Sequence, residues 1–184
     1  MANTPHMDRR TINQPRFAYS VANGFLNRHD ENDEISARLA LDEIQQIRLT
    51  QQKAFQSVQI VCHVTGSEGE MFSFGSMTAI GPSSWDSSIE TFMPLLIALH
   101  KALEPRSDTV DYQEGSGPRT LAGLAAAGSA LLMIGGWFFY EFAIVNSEPG
   151  GYFLLPVLAA GIWLLSLSFT AASKPYDPGV YRKA

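Results

Sequence analysis

The chain has 184 residues, with 13 Lys and Arg against 18 Asp and Glu, for a formal net charge of −5. That acidic balance disfavours a nucleic-acid partner, whose phosphates attract Lys and Arg, and the length suits one ordinary domain or a small domain with a membrane anchor. The single cysteine, Cys62, excludes an intramolecular disulfide and fits a reducing compartment.

The charges are unevenly spread. Nine basic and fifteen acidic residues precede Arg119, a balance of −6 (9 minus 15), and beyond it lie two long stretches without charge. Such a split reads as a polar domain followed by a membrane segment.

In chain order, residues 1–15 ("MANTPHMDRRTINQP") lack the apolar core of a secretory signal peptide. They are expected to be flexible in isolation and able to order against a partner. Residues 16–105 read as one cytoplasmic domain. "FAYSVANGFLNRHD" and "ISARLALDEIQQIRLTQQ" supply short strands on either side of the acidic turn "DENDE". That turn lacks the twelve-residue spacing and terminal glutamate of a calcium loop, so it reads as exposed.

"SVQIVCHVT" alternates, with Val58, Ile60, Cys62 and Val64 on one face and Gln59, Val61, His63 and Thr65 on the other. "GSEG" then turns the chain, and "EMFSFGSM" resumes the alternation through Phe72 and Phe74, predicting a hairpin. From there the period lengthens. Ile89, Phe92, Leu95, Leu96, Leu99 and Leu103 recur at helical spacing, with Asp86 or Ser87 as cap and Pro105 as stop. Pro94 either kinks this helix or delays its regular start. Residues 106–118 read as a linker.

Thr120 to Tyr140 is a run of 21 uncharged residues, and Gly151 to Ala172 is another of 22. At 1.5 Å per residue each covers roughly 30 Å, the hydrocarbon thickness of a bilayer. Core helices of a soluble domain are the competing reading, but two runs apolar on every side would need more protein around them than this chain supplies. The expected layout is therefore a transmembrane helix over 119–145, an external loop over 146–150, a second helix over 151–172 and a cytoplasmic tail over 173–184. Arg119, Lys174, Arg182 and Lys183 flank the spans, while Glu141 and Glu148 lie by the connector, so the positive-inside rule puts both termini in the cytoplasm.

Trp137, Tyr140 and Tyr152 are expected in an aromatic belt at the outer interface, with Glu141 beside them at headgroup level. Small residues, Gly123, Ala125, Gly128, Ser129, Gly135 and Gly136 in the first span and Ala160 and Gly161 in the second, would let helices approach closely. Whether they close the hairpin on itself or receive a partner's helix is left open by the pattern.

Chemistry is sparse. The glycines at 66, 69, 75 and 81 match no phosphate-binding loop, and no histidine has a second ligand three or four residues on. Cys62 and His63 point to opposite faces of a strand, which argues against a shared metal, and Cys62 reads as a small buried hydrophobe. No catalytic residue, cofactor or metal site is expected. Ser166, Ser168 and Thr170 should bond back to helix carbonyls. Among the scattered bases, Arg9, Arg10 and Arg16 are the best candidates for anionic headgroups.

The order of short strands, "LALDEIQQIRL", the strand around Cys62, "MFSF" and "TFMPLLIALHKAL" resembles bacterial PH-like domains. With the hairpin and the tail "PYDP" (Pro175 to Pro178), the chain is similar to small bacterial membrane proteins that carry such a domain before two transmembrane helices. The resemblance implies a fold class of α+β, an antiparallel small barrel or curved sheet capped by a helix, and no activity.

The expectation is a non-catalytic accessory or scaffold subunit of a larger bacterial inner-membrane complex, respiratory or transport. Its partners would be other integral membrane subunits and the lipid bilayer, with a homo-oligomer as the alternative. Two rival functions remain: a tethered binding module for a peptide or lipid headgroup, and a small transport component using Glu141.

Overall fold

The computed structural model describes residues 5–54, 57–82 and 84–182. Residues 1–4 of the expected flexible segment, and the flanking base Lys183, lie outside them. The chain forms two compact units, one of Met1–Glu114 with Lys174–Ala184 and one of Gly115–Ser173.

The first unit is α+β. Strands β1 (His6–Asp8), β2 (Phe17–Ala22), β3 (Phe25–His29) and β4 (Ile35–Ala40) make an antiparallel sheet in that order. β5 (Ile44–Ala54), β6 (Ser57–Gly66) and β7 (Met71–Gly75) form an antiparallel meander, and β8 (Met77–Gly81) pairs with β9 (Ser84–Ser87). Helix α1 (Ile89–Ala102) follows, then β10 (Asp111–Glu114), which runs parallel to β5. The second unit carries α2 (Pro118–Phe139) and α3 (Leu155–Thr170). After it, β11 (Lys174–Pro175) and the single turn α4 (Gly179–Arg182) return to the first unit. The larger sheet therefore has the order β11-β10-β5-β6-β7.

Local chemistry explains the turns. Asn23 and Gly24 take positive φ (53° and 81°) between Ala22 and Phe25, the two-residue turn whose twist matches that of the strands. In the acidic turn, Asp30 Oδ1 accepts the N–H groups of Asn32 (2.9 Å) and Glu34 (3.0 Å), so one carboxylate closes it. The β6–β7 hairpin closes with Gly69 at φ 87°.

The core lies where α1 meets the sheets. Phe92, Leu95, Leu96 and Leu99 are buried at helical spacing and meet Tyr19, Leu26, Leu39, Ile47, Cys62, Val64 and Phe74. Ile89, expected on the same stripe, is 39% exposed. The helix starts after Ser88, one residue beyond the expected caps, and runs through Pro94 to Ala102. Pro94 is the sixth helical residue, past the four N–H groups that lack intrahelical partners, so it removes one hydrogen bond of the ladder while the helix continues.

Two expectations are corrected. The segment 1–15 supplies a strand: β1 pairs with β2, and His6 and Asp8 are buried. The span 106–118 contains β10, so it is partly sheet. The tail 173–184 carries β11 and α4. Both faces of β6 carry buried residues. Val61 on one face and Cys62 on the other are wholly buried, the Gln59 amide donates to Met77 O at 2.9 Å, and Val58 is 58% exposed.

In the second unit, Pro118–Val145 (28 residues) and Pro149–Thr170 (22 residues) are helical stretches long and apolar enough to cross a membrane. They include a π-helical stretch at Tyr140–Val145 and a 3-10 stretch at Pro149–Leu154. Only 11% and 6% of their most apolar windows are buried, unlike the core helices of a soluble protein.

Glycine decides where these helices touch. A Cβ on Gly128 would stand 2.9 Å from Gly161 O, and one on Gly161 would stand 2.9 Å from Leu132 Cγ. Gly135 faces Val157 and Leu158. At the ends of the unit, Ser116 N–H donates to Ala171 O (3.1 Å), and Gly115 has φ 102° with space for a Cβ denied by Ala172 O.

Candidate functional site

All four histidines have both ring nitrogens against protein atoms. His6 places Nδ1 2.9 Å from Thr91 Oγ1 and Nε2 3.0 Å from Gly75 O. His29 reaches Ser20 Oγ (3.1 Å) and Asp33 O (3.3 Å), and His63 reaches Ser73 Oγ (2.8 Å) and Thr50 Oγ1 (3.2 Å). His100 Nδ1 lies 2.8 Å from Leu96 O, so it donates there, and Nε2 accepts from the Tyr176 hydroxyl at 2.8 Å. Burial lowers the His6 pKa to about 4. Burial first, then the Arg10 and Arg48 charges, lowers that of His63. Cys62 is fully buried, and burial pushes its thiol well above the usual range, away from thiolate chemistry.

A second buried polar group sits beside His6. Asp8 Oδ2 accepts the Gly75 N–H at 2.8 Å, while Asp8 Oδ1 has no hydrogen-bond partner among the described residues. Burial raises the Asp8 pKa to about 6, opposed in part by the Arg10 charge and the Gly75 and Arg9 amides. Tyr19, raised to about 12 by burial and by Asp8, donates its hydroxyl to Ser73 O at 3.1 Å. Sequence reasoning missed this cluster, because its partners at Gly75 and Thr91 are remote in the chain.

Close by is a hollow of about 460 Å³, lined on its polar side by Asp8, Asp86, Glu90, Arg16 and Thr78. Three carboxylates against one guanidinium suit a cationic or hydroxyl-rich guest better than an anionic headgroup.

The three arginines expected to meet headgroups have different surroundings. Arg9 folds back onto the carbonyls of Thr11 and Ile12, and Arg10 reaches Gln52 Oε1 (3.4 Å) with its other nitrogen buried against Gly75. Arg16 lines the acidic hollow. Two further bases sit over rings: Arg28 is 4.7 Å from the Phe17 centroid, and Arg38 is 5.2 Å from that of Phe25.

Among the small residues singled out in the second unit, Gly128, Gly135 and Gly161 are buried between the helices, and Ala125 and Ser129 are half-buried. Gly123 and Gly136 have open space where a Cβ would stand, and Ala160 is exposed, so these three do not serve that contact. Trp137, Tyr140 and Tyr152 are all more than half exposed, and the Phe139 and Tyr152 rings meet edge to face at 6.0 Å. Glu141 lies in the π-helical stretch, where its carbonyl accepts from the Asn146 N–H and side-chain amide at 3.0 and 2.9 Å. Ser166, Ser168 and Thr170 bond back to Trp163, Leu165 and Ser166 carbonyls, as their helical setting predicts.

The returning C-terminal segment builds the densest aromatic cluster of the first unit. Glu114 pairs with Lys174 and Gln113 with Pro175, and the Tyr176 N–H donates to Tyr112 O at 3.2 Å. The His100 ring stacks on Tyr112 at 5.6 Å and lies 5.9 Å from Tyr176 and 5.2 Å from Tyr181. His100 is wholly buried and Tyr112 is 6% exposed. Compared with known protein families, curated proteins and solved structures, the chain matches none of them.

Proposed function

We propose that the chain is a membrane-anchored, non-catalytic accessory or scaffold subunit of a larger bacterial inner-membrane complex, with a PH-like cytoplasmic domain. The observation that carries this reading is the contrast between the units. The first commits its histidines and its cysteine to internal bonds and burial. The second presents two long apolar helices whose most apolar windows are only 11% and 6% buried. Apolar helical stretches of 28 and 22 residues are each long enough to cross a bilayer's hydrocarbon core.

Strand pairing supports a hairpin with both ends on one side. Glu114 and Lys174, the residues that flank the second unit, are register partners in β10–β11, so the chain enters and leaves from one fold. Arg119 and Lys174 at the flanks, against Glu141 and Glu148 near the tip, favour the cytoplasm for that side. The small open positions Gly123 and Gly136 leave room for a partner's helix.

The test is extraction in mild detergent and capture through an N-terminal affinity tag, with the eluate sized and identified by mass spectrometry. Stoichiometric co-purification with the subunits of one membrane complex is expected. Elution as a monomer or homodimer alone would overturn the accessory role and favour a second reading, a tethered binding module. The acidic hollow at Asp8, Asp86 and Glu90 is the observation behind that alternative, and its chemistry favours a basic peptide over a lipid phosphate.

A further inference from the structure

The fold of the first unit is completed by residues that come last in the chain. β11 and α4 follow both apolar helices, yet Tyr176 and Tyr181 pack against the buried cluster that joins α1 to the larger sheet. Three contacts tie them there: the β10–β11 pairing, the Tyr176 N–H to Tyr112 O bond, and the Tyr176 hydroxyl to His100 Nε2 bond at 2.8 Å. His100 is deeply buried, and in this tautomer its Nε2 needs a donor, which Tyr176 supplies. The strap is short, from Lys174 to Arg182, so it can reach His100 only from the side on which the domain lies.

We propose that the C-terminal strap is a topological lock: the domain closes only when the second apolar helix has returned the chain to the side it left. This rests on the reading of α2 and α3 as membrane-crossing. A chain with the second crossing missed would strand Tyr176 and Tyr181 across the bilayer and leave the His100–Tyr112 end of the core uncovered. Closure of the domain thereby reports correct insertion of the hairpin, and an open domain would offer its core to proteases and chaperones.

The experiment counts crossings. Three full-length chains are expressed in membranes: the native one, one with an extra span of about 20 apolar residues inserted after Ala172, and one with two such spans in series. Cys62, wholly buried in the core, serves as the reporter, labelled in membranes by a permeant thiol reagent. With one extra span the strap is forced to the far side, and Cys62 is expected to label about tenfold faster or more than in the native chain. With two, the strap returns, and labelling is expected to fall back to the native rate. Equal protection in all three chains would overturn the lock. So would equal loss in both variants, since closure would then depend on the length of the connection and not on its side. Resistance of the native chain to alkaline extraction is measured in parallel. If it washes off the membrane, the crossing reading itself has failed; if it stays and Cys62 ignores the parity of spans, the lock alone has failed.

Discussion

Substitution of Asp8 by Asn should uncouple two opposed pH effects within one buried cluster. Asp8 has a folded pKa of about 6 against an ordinary 3.8, and His6 has one of about 4 against 6.5. At 1.36 kcal/mol per unit, each shift of roughly two units is worth on the order of 3 kcal/mol. The signs differ. For Asp8, raised in the fold, the folded state holds the proton more tightly, so its contribution is present below pH 3.8 and is lost as pH rises through about 6. For His6, lowered in the fold, the contribution is present above pH 6.5 and is lost as pH falls through about 4. Between about pH 4 and 6 the slopes oppose, and the native curve should be nearly flat in the part these groups control. In the Asp8→Asn chain the new amide oxygen can still accept the Gly75 N–H, but it carries no proton equilibrium, which leaves His6 alone. Stability of the variant should then climb by about 3 kcal/mol between pH 4 and 6.5. Tyr19, raised to about 12, stays neutral throughout this window. Urea unfolding of the full chain in detergent, followed by Trp85 fluorescence after Trp137 and Trp163 are replaced by Phe, measures the difference. Parallel stability curves for native and variant chains from about pH 4 to about 7.5 would refute the cluster's assigned energetics.

Leucine at Gly128 or Gly161 should force the two apolar helices apart, because a Cβ at either site already meets its neighbours at 2.9 Å. Leucine at Gly123, where nothing lies within 4 Å, should be tolerated. Cross-linking between cysteines placed on α2 and α3 separates the two cases. Tyr176→Phe keeps the ring but removes the donor to His100 Nε2, and should cost the first unit about 1–3 kcal/mol by the same urea assay.

Parts of this architecture are visible in the sequence because local patterns cause them. The stripe from Phe92 to Leu99 needs only helical periodicity, and the two apolar helices follow from run length. β1 escapes such reasoning. "HMD" looks polar, and its burial depends on Gly75 and Thr91, more than 65 residues away, supplying partners for His6 and Asp8. β10 reads "DYQE", four residues whose strand character comes from lying parallel to Gln46–Leu49. Periodicity in β6 separates two faces but does not say which is covered: Val61 and Cys62, on opposite faces, are both buried, because covering of the second face is a tertiary event. Small residues mark helices capable of close approach but do not say which face is used: Gly161 meets Gly128, while its neighbour Ala160 points away. The cluster of His100, Tyr112, Tyr176 and Tyr181 joins positions up to 81 residues apart and has no local signature.

The account's central claim is that α2 and α3 cross a bilayer as a hairpin with the domain and the strap on one side. With Cys62 replaced by Ala, single cysteines at Glu31 in the acidic turn, Ser147 in the connector and Asp177 in the strap can be probed with a membrane-impermeant maleimide. In intact cells stripped of any outer envelope, Ser147→Cys should label, and Glu31→Cys and Asp177→Cys should label only after permeabilisation. Labelling of Glu31→Cys and Asp177→Cys from opposite sides, or of all three from the same side, would contradict the account.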